Sequence, residues 1–128
     1  MKPNTHLAIN HRLCGAPGEL AEGRATARLA TSAELAVDDR GLVHGGFVFG
    51  LADHAAMLAV NDPNVVLGSA DLRFVAPVRA GDVVDATAEV TETKGKKRTV
   101  AVEARVGDRV VLTGTLVAFV LPQHVLDA

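Results

Sequence analysis

The chain has 128 residues, 48% of them hydrophobic, and a formal net charge of −2, which suits one globular domain over residues 1–128 and argues against an extended disordered chain. With no Trp or Tyr, four Phe and no basic excess, it lacks what nucleic-acid recognition by stacking or by a basic face requires. Cys14 is the one cysteine, Met1–His6 carries no apolar signal run, and no apolar stretch of about 20 residues is free of charge, so a cytoplasmic protein with no membrane partner is expected.

In chain order, Gly15-Ala16-Pro17-Gly18 signals a turn, and the alternation from Glu19 to Leu29 predicts one strand. Asp38-Asp39-Arg40-Gly41 reads as a loop. The segment Gly45–Val60 is rich in Ala, Leu and Met and apolar on nearly every face, which predicts a helix buried all round. Asn61-Asp62-Pro63-Asn64 stops it, because Asn tolerates the left-handed conformation and Pro cannot continue a helix. Four strands follow. Val65–Val75 is the first, and Val83–Thr93 the second, with Val84, Ala86, Ala88 and Val90 on one face. After the turn at Gly95-Lys96-Lys97, Arg98–Val106 aligns Val100, Val102, Ala104 and Val106. Gly107-Asp108 is a hairpin turn that leads into Arg109–Leu121.

Short turns imply an antiparallel sheet, and a long apolar helix is buried most economically by a curved sheet wrapped around it. The expected class is therefore α+β. A sheet edge and part of the helix would stay uncovered in a monomer, so a homodimer is expected, with a dimer of dimers open.

Candidate chemistry clusters on the helix. His44-Gly45-Gly46 stands at its start, where backbone N–H groups lack internal partners and the helix dipole is positive. Two glycines either leave those N–H groups open to polarise a carbonyl oxygen or merely permit a tight entry turn. Asp53 lies deep in the apolar helix. It is either solvated on a wet face or a carboxylate that activates water or attacks a carbonyl carbon. Gly45 and Asp53 are eight residues apart, which at 1.5 Å per residue is about 12 Å. One acyl carbon cannot touch both, so if both act they come from different subunits of a twofold dimer. His44 joins the catalytic set, with a purely structural role in the loop as the competing reading. His54 points away from Asp53.

The histidines at 6, 11, 44, 54 and 124 show no close ligand spacing, so no metal is expected, and Cys14 reads as a packing residue. Lys94, Lys96, Lys97 and Arg98, together with Arg73 and Arg79, are either solvated cations or partners for ligand phosphates.

Gly41-Leu42-Val43-His44-Gly45-Gly46-Phe47, then Leu51-Ala52-Asp53 and Ala55, closely resemble the hotdog-fold acyl-CoA thioesterases of the phenylacetyl-CoA thioesterase type. Asp71-Leu72-Arg73-Phe74-Val75-Ala76-Pro77-Val78 and Ala80-Gly81-Asp82 are similar to that superfamily's strand and bend after the helix. The resemblance covers residues 19 to about 120. It implies a sheet around a central helix, dimers joined through edge strands, often as tetramers, and hydrolysis of an acyl-coenzyme A. It implies that Asp53 is the catalytic carboxylate, that Gly45 supplies the polarising N–H, and that coenzyme A enters as part of the substrate, with no further cofactor. Gly46, Arg73, Lys96, Lys97 and Arg98 are the expected coenzyme A contacts. Asp38 stands where the family commonly has Asn, and His54 where Ser or Thr often follows Leu-Ala-Asp.

Two other readings stay open. The middle and the end (Gln123-His124-Val125-Leu126) resemble hotdog proteins that bind acyl-CoA without obvious turnover. Ser69-Ala70-Asp71-Leu72-Arg73-Phe74 resembles the effector domain of a regulator of fatty-acid synthesis, although no DNA-binding segment is expected ahead of the domain here. A hotdog dehydratase is the third reading, and the His44/Asp53 offset suits it poorly.

Overall fold

The computed structural model describes residues 1–127. A single helical turn, α1 (His11–Cys14), is capped by the Asn10 side chain, which accepts from the N–H groups of Arg12 and Leu13. Two strands follow, β1 (Ala16–Ala21) and β2 (Arg24–Ala30), and then the long helix α2 (Gly45–Val60). The chain finishes with β3 (Val65–Phe74), β4 (Val83–Lys94), β5 (Lys97–Val106) and β6 (Arg109–Val120). All pairings are antiparallel, in the order β1-β2-β4-β5-β6-β3. The fold is the α+β hotdog arrangement expected from the sequence, one six-stranded sheet against one long helix.

The N-terminal third corrects the sequence reading in two places. The single strand expected over Glu19–Leu29 is a hairpin, with Ala21 opposite Arg24 and Glu22-Gly23 as its two-residue turn. Gly23 takes φ 73°, the left-handed conformation that such a turn demands and glycine adopts at least cost. The expected turn at Gly15–Gly18 instead contains the start of β1, which begins at Ala16.

The bounds of α2 follow from local chemistry. Asn61 adopts the left-handed conformation (φ 54°, ψ 38°), and its N–H closes onto the Met57 carbonyl. Between the ends, Leu51, Ala52 and the run His54–Ala59 are all buried. The facing strands meet them with small side chains. Ala27, Ala86 and Ala104 lie side by side across β2, β4 and β5, and Leu112 of β6 continues the row. All four are essentially without solvent contact. This alanine floor lets the helix axis come close to the sheet, and close packing of such surfaces is the main source of the core's stability.

Register shifts at Leu67/Ser69, Val90/Glu92 and Ala104/Arg105 bend the sheet about the helix. The sheet ends in β1 on one side and in the ten-residue β3 on the other. Most of β3 is exposed, and at its end Phe74 and the following Val75 keep 56% and 55% of their surface in solvent, which leaves an apolar border beside an unpaired backbone edge. No helix among the described residues is long and apolar enough to cross a membrane.

Candidate active site at the tip and flank of the central helix

His44 is the N-cap of α2, and its Nδ1 accepts from the Gly46 N–H at 2.7 Å. The imidazole thereby occupies the second of the two N–H groups that the glycine pair was expected to leave open. A Cβ on Gly46 would lie 2.8 Å from that Nδ1 and 2.9 Å from Cε1, so glycine at this position is what lets the ring close on the backbone. Gly45 is in a different situation. Its N–H finds no acceptor among the described residues, and a Cβ there would meet only the Phe74 ring, at an ordinary 3.5 Å. The Gly45 N–H is thus the open donor at the positive end of the helix.

Asp53 follows two turns on, about 12 Å along the axis. Its Oδ1 is buried and has no hydrogen-bond partner among the described residues. Burial alone pushes its carboxyl up from 3.8 to about 6. A carboxylate left without a partner is costly to bury, which is why such groups are scarce away from sites that use them. Gly50 lies one turn before it, and a Cβ there would have nothing within 4 Å. Mid-helix glycine costs about 0.5–1 kcal/mol relative to Ala, and no close neighbour among the described residues requires it.

Beside Gly45 lies a cavity of 230 Å³ whose walls include Leu42, Val48, Phe74, Pro77 and Val111. The loop carrying Leu42 is clamped over it, since the Val43 N–H donates to the Val78 carbonyl at 2.9 Å. Phe74 reaches this cavity because Leu72 and Phe74 lie opposite Gly114 and Leu112 on the face turned toward α2.

The other expected site residues are dispersed. Arg73, between those two, lies opposite Thr113 on the outer face and is paired with Asp71 at 2.8 Å. Lys97 lies opposite Phe119, six positions along β6 from Thr113, which amounts to about 20 Å. Lys96 and Lys97 are exposed at the turn between β4 and β5, and the Arg98 guanidinium donates to the Gly95 carbonyl at 2.7 Å. Arg73 and the Lys96–Arg98 cluster therefore do not converge within one protomer. His54 is fully buried, with Nδ1 against the Cys14 carbonyl at 3.3 Å and its ring stacked on His6 and His11. It ties the N-terminal segment to the back of α2, away from the site. Asp38 organises the loop before His44, and its Oδ1 accepts from the N–H groups of Arg40 and Leu42 at 3.0 and 3.1 Å. An Asn side-chain oxygen could make the same two bonds. The sequence reading overlooked the wall formed by Leu42 and Pro77. It arises from pairing between distant loops and has no local signature. No three potential metal ligands cluster among the described residues.

Comparison with known proteins adds the following. Residues 40–113 match the family described as the thioesterase superfamily. The chain is 49% identical to an uncharacterized protein of Pyrococcus horikoshii, with a TM-score of 0.98 over 99% of this chain and 98% of that one. It is 31% identical to the phenylacetic acid degradation protein PaaI of Thermus thermophilus, solved as a mutant, with a TM-score of 0.77 over 85% of this chain and 95% of that one. Among curated proteins it is 50% identical over 114 residues to methylthioribose-1-phosphate isomerase of Aquifex aeolicus, matching 89% of this chain and 25% of that protein. It is 28% identical over 85 residues to the transcription factor FapR of Caldanaerobacter subterraneus, 66% of this chain and 42% of that one. The chain thus spans a quarter to under half of these two curated relatives.

Proposed function

The chain belongs to the thioesterase superfamily, and from that premise we propose that it hydrolyses an acyl-coenzyme A thioester to the free acid and coenzyme A. The observation that carries this reading is the buried, unpartnered Oδ1 of Asp53. With its carboxyl near 6, Asp53 is ionised at neutral pH yet basic enough to take a proton from water. The water oxygen adds to the acyl carbon, and the carbonyl oxygen takes up the negative charge. A free helix-tip N–H of the Gly45 type is suited to hold that oxygen. Collapse of the adduct breaks the carbon–sulfur bond, and the proton held by Asp53 passes to the departing sulfur. His44 keeps the tip in shape by capping it.

The separation of about 12 Å within one helix means that Asp53 and Gly45 serve one acyl group only when they belong to different protomers. The reading therefore includes a homodimer with two composite sites. The exposed β3 edge, the apolar border at Phe74 and Val75, and the empty space over Gly50 support it.

The test is a panel of short, long and aromatic acyl-CoA substrates, with free thiol as the readout. Turnover that vanishes in Asp53→Asn and in Gly45→Val, and partly returns when the two variants are mixed as dimers, is expected. Unchanged turnover in Asp53→Asn, or a monomer at working concentration, would reject the mechanism. The similarity to proteins described as transcription factors, a description that names no hydrolysis, favours a second reading, in which this chain binds the acyl-CoA without turning it over. Retention of intact thioester on the purified protein, with no thiol released, would select it.

A further inference from the structure

We infer that Arg40 and Arg79 form the seat for the phosphates of the coenzyme A carrier, an assignment that rests on the acyl-CoA reading above. Ion pairs in the described residues engage Arg12, Arg24, Arg28, Arg73, Arg105 and Arg109. The guanidinium groups of Arg40 and Arg79 make no ion pair and donate no hydrogen bond among the described residues. Both are exposed and line one cleft of 210 Å³ together with Asp38, Leu42 and Pro77.

The cleft adjoins the site. Leu42 and Pro77 are walls of this cleft and also of the cavity beside Gly45. Its frame is fixed by backbone pairing. Leu42 bridges to Arg79, and the Ala80 N–H donates to the Gly41 carbonyl at 2.7 Å. Among the described residues the only carboxylate lining the cleft is Asp38, whose Oδ1 is already engaged by the Arg40 and Leu42 N–H groups. Asp82, three residues beyond Arg79, accepts the Arg79 backbone N–H at 2.9 Å and stands 3.6 Å from Arg109. Two free guanidinium forks facing one cleft suit a multiply charged phosphate ligand, which they can grip in bidentate fashion.

The arrangement thus sets an open N–H at one end, an apolar cavity in the middle and two cations at the other end. That is the order in which a thioester, its pantetheine arm and its phosphates follow one another. Arg73 and the Lys96–Arg98 cluster do not share that line, since they sit on the outer face and at the far end of the sheet.

Calorimetric binding of coenzyme A itself, which cannot turn over, tests the seat. Arg40→Gln and Arg79→Gln are each expected to weaken binding at least about ten-fold. The Lys96→Gln/Lys97→Gln pair is expected to leave it unchanged. Pantetheine, which has no phosphate, should compete equally well with all variants, and the melting temperatures should match. Coenzyme A affinity that is unchanged in both arginine variants, or pantetheine affinity that falls in parallel with it, overturns the assignment and leaves the hydrolase reading intact. A wild-type protein that binds no coenzyme A overturns both.

Discussion

Replacing Asp53 by asparagine separates the cost of the site from its chemistry. A carboxyl raised from 3.8 to about 6 by burial disfavours ionisation in the fold by about 3 kcal/mol. The folded chain holds this proton more tightly than the unfolded chain. Stability contributed by the protonated acid is therefore present below about pH 4 and is lost as pH rises through about 6. Asparagine has nearly the same shape and no charge, so it removes that dependence. Its amide leaves a donor without a partner, a cost of about 1–3 kcal/mol that is the same at every pH. The diagnostic quantity is therefore the change, between pH 4 and pH 8, in the stability difference between variant and wild type. It should move in favour of the Asp53→Asn variant by about 3 kcal/mol at most, and by less to the extent that Asp53 keeps solvent contact. Urea unfolding of both proteins at the two pH values, at one fixed concentration, measures it. A difference that stays flat across that range would show that Asp53 is solvated or paired in solution, and the reasoning from its burial would fail.

Three further outcomes follow from the same geometry. The pH profile of kcat/KM for thioester hydrolysis should fall off below about 6, where Asp53 takes up its proton; a profile level down to pH 5 rules out Asp53 as the base. Gly45→Ala should melt with the wild type, since its Cβ meets Phe74 at only 3.5 Å, yet lose turnover, whereas Gly46→Ala should displace the His44 ring and lose about 1 kcal/mol with the cap. Paired melting and activity measurements on the two variants check this contrast. Burial holds the pKa of His54 below 6.5, with the charges of His6 and His11 acting in the same direction, so its stability contribution is intact above that value and is lost as pH falls. Because this trend opposes that of Asp53, it is read in the Asp53→Asn background, where a melting temperature equal at pH 7.5 and 5.5 would contradict it.

The helix was legible in the sequence to its ends, because the residues that start and stop it act locally: His44 with its glycines, and Asn61 before Asp62-Pro63. The alternation in β4 and β5 was legible for the same reason, and their inward positions, among them Val84, Ala86, Ala88, Val100, Val102 and Ala104, are buried. The hairpin of β1 and β2 was hidden because period-two alternation continues through a two-residue turn when polar residues flank it. The capping role of His44 depends on ring placement, which composition does not encode. The charged residues were plainly visible, but whether they meet depends on register along β6. Arg73 and Lys97 are separated there, while Arg79, a phosphate candidate in the sequence, and Arg40, which nothing in the sequence singles out, are brought to one cleft by the Leu42–Arg79 bridge.

The alanine row under the helix has a consequence for how such a protein could change its diet. With Ala27, Ala86 and Ala104 already reduced to a methyl group, no trimming beneath α2 can hollow out room for a longer or bulkier guest. Enlarging any of them would lift the helix and displace Gly45 and Asp53 along with it. On the hydrolase reading, selectivity is thus confined to the outer walls of the cavity beside Gly45, where Leu42, Phe74 and Pro77 are exposed and can be exchanged without disturbing the scaffold. Divergence among relatives in what they accept should accumulate at those three positions, while the floor remains monotonous.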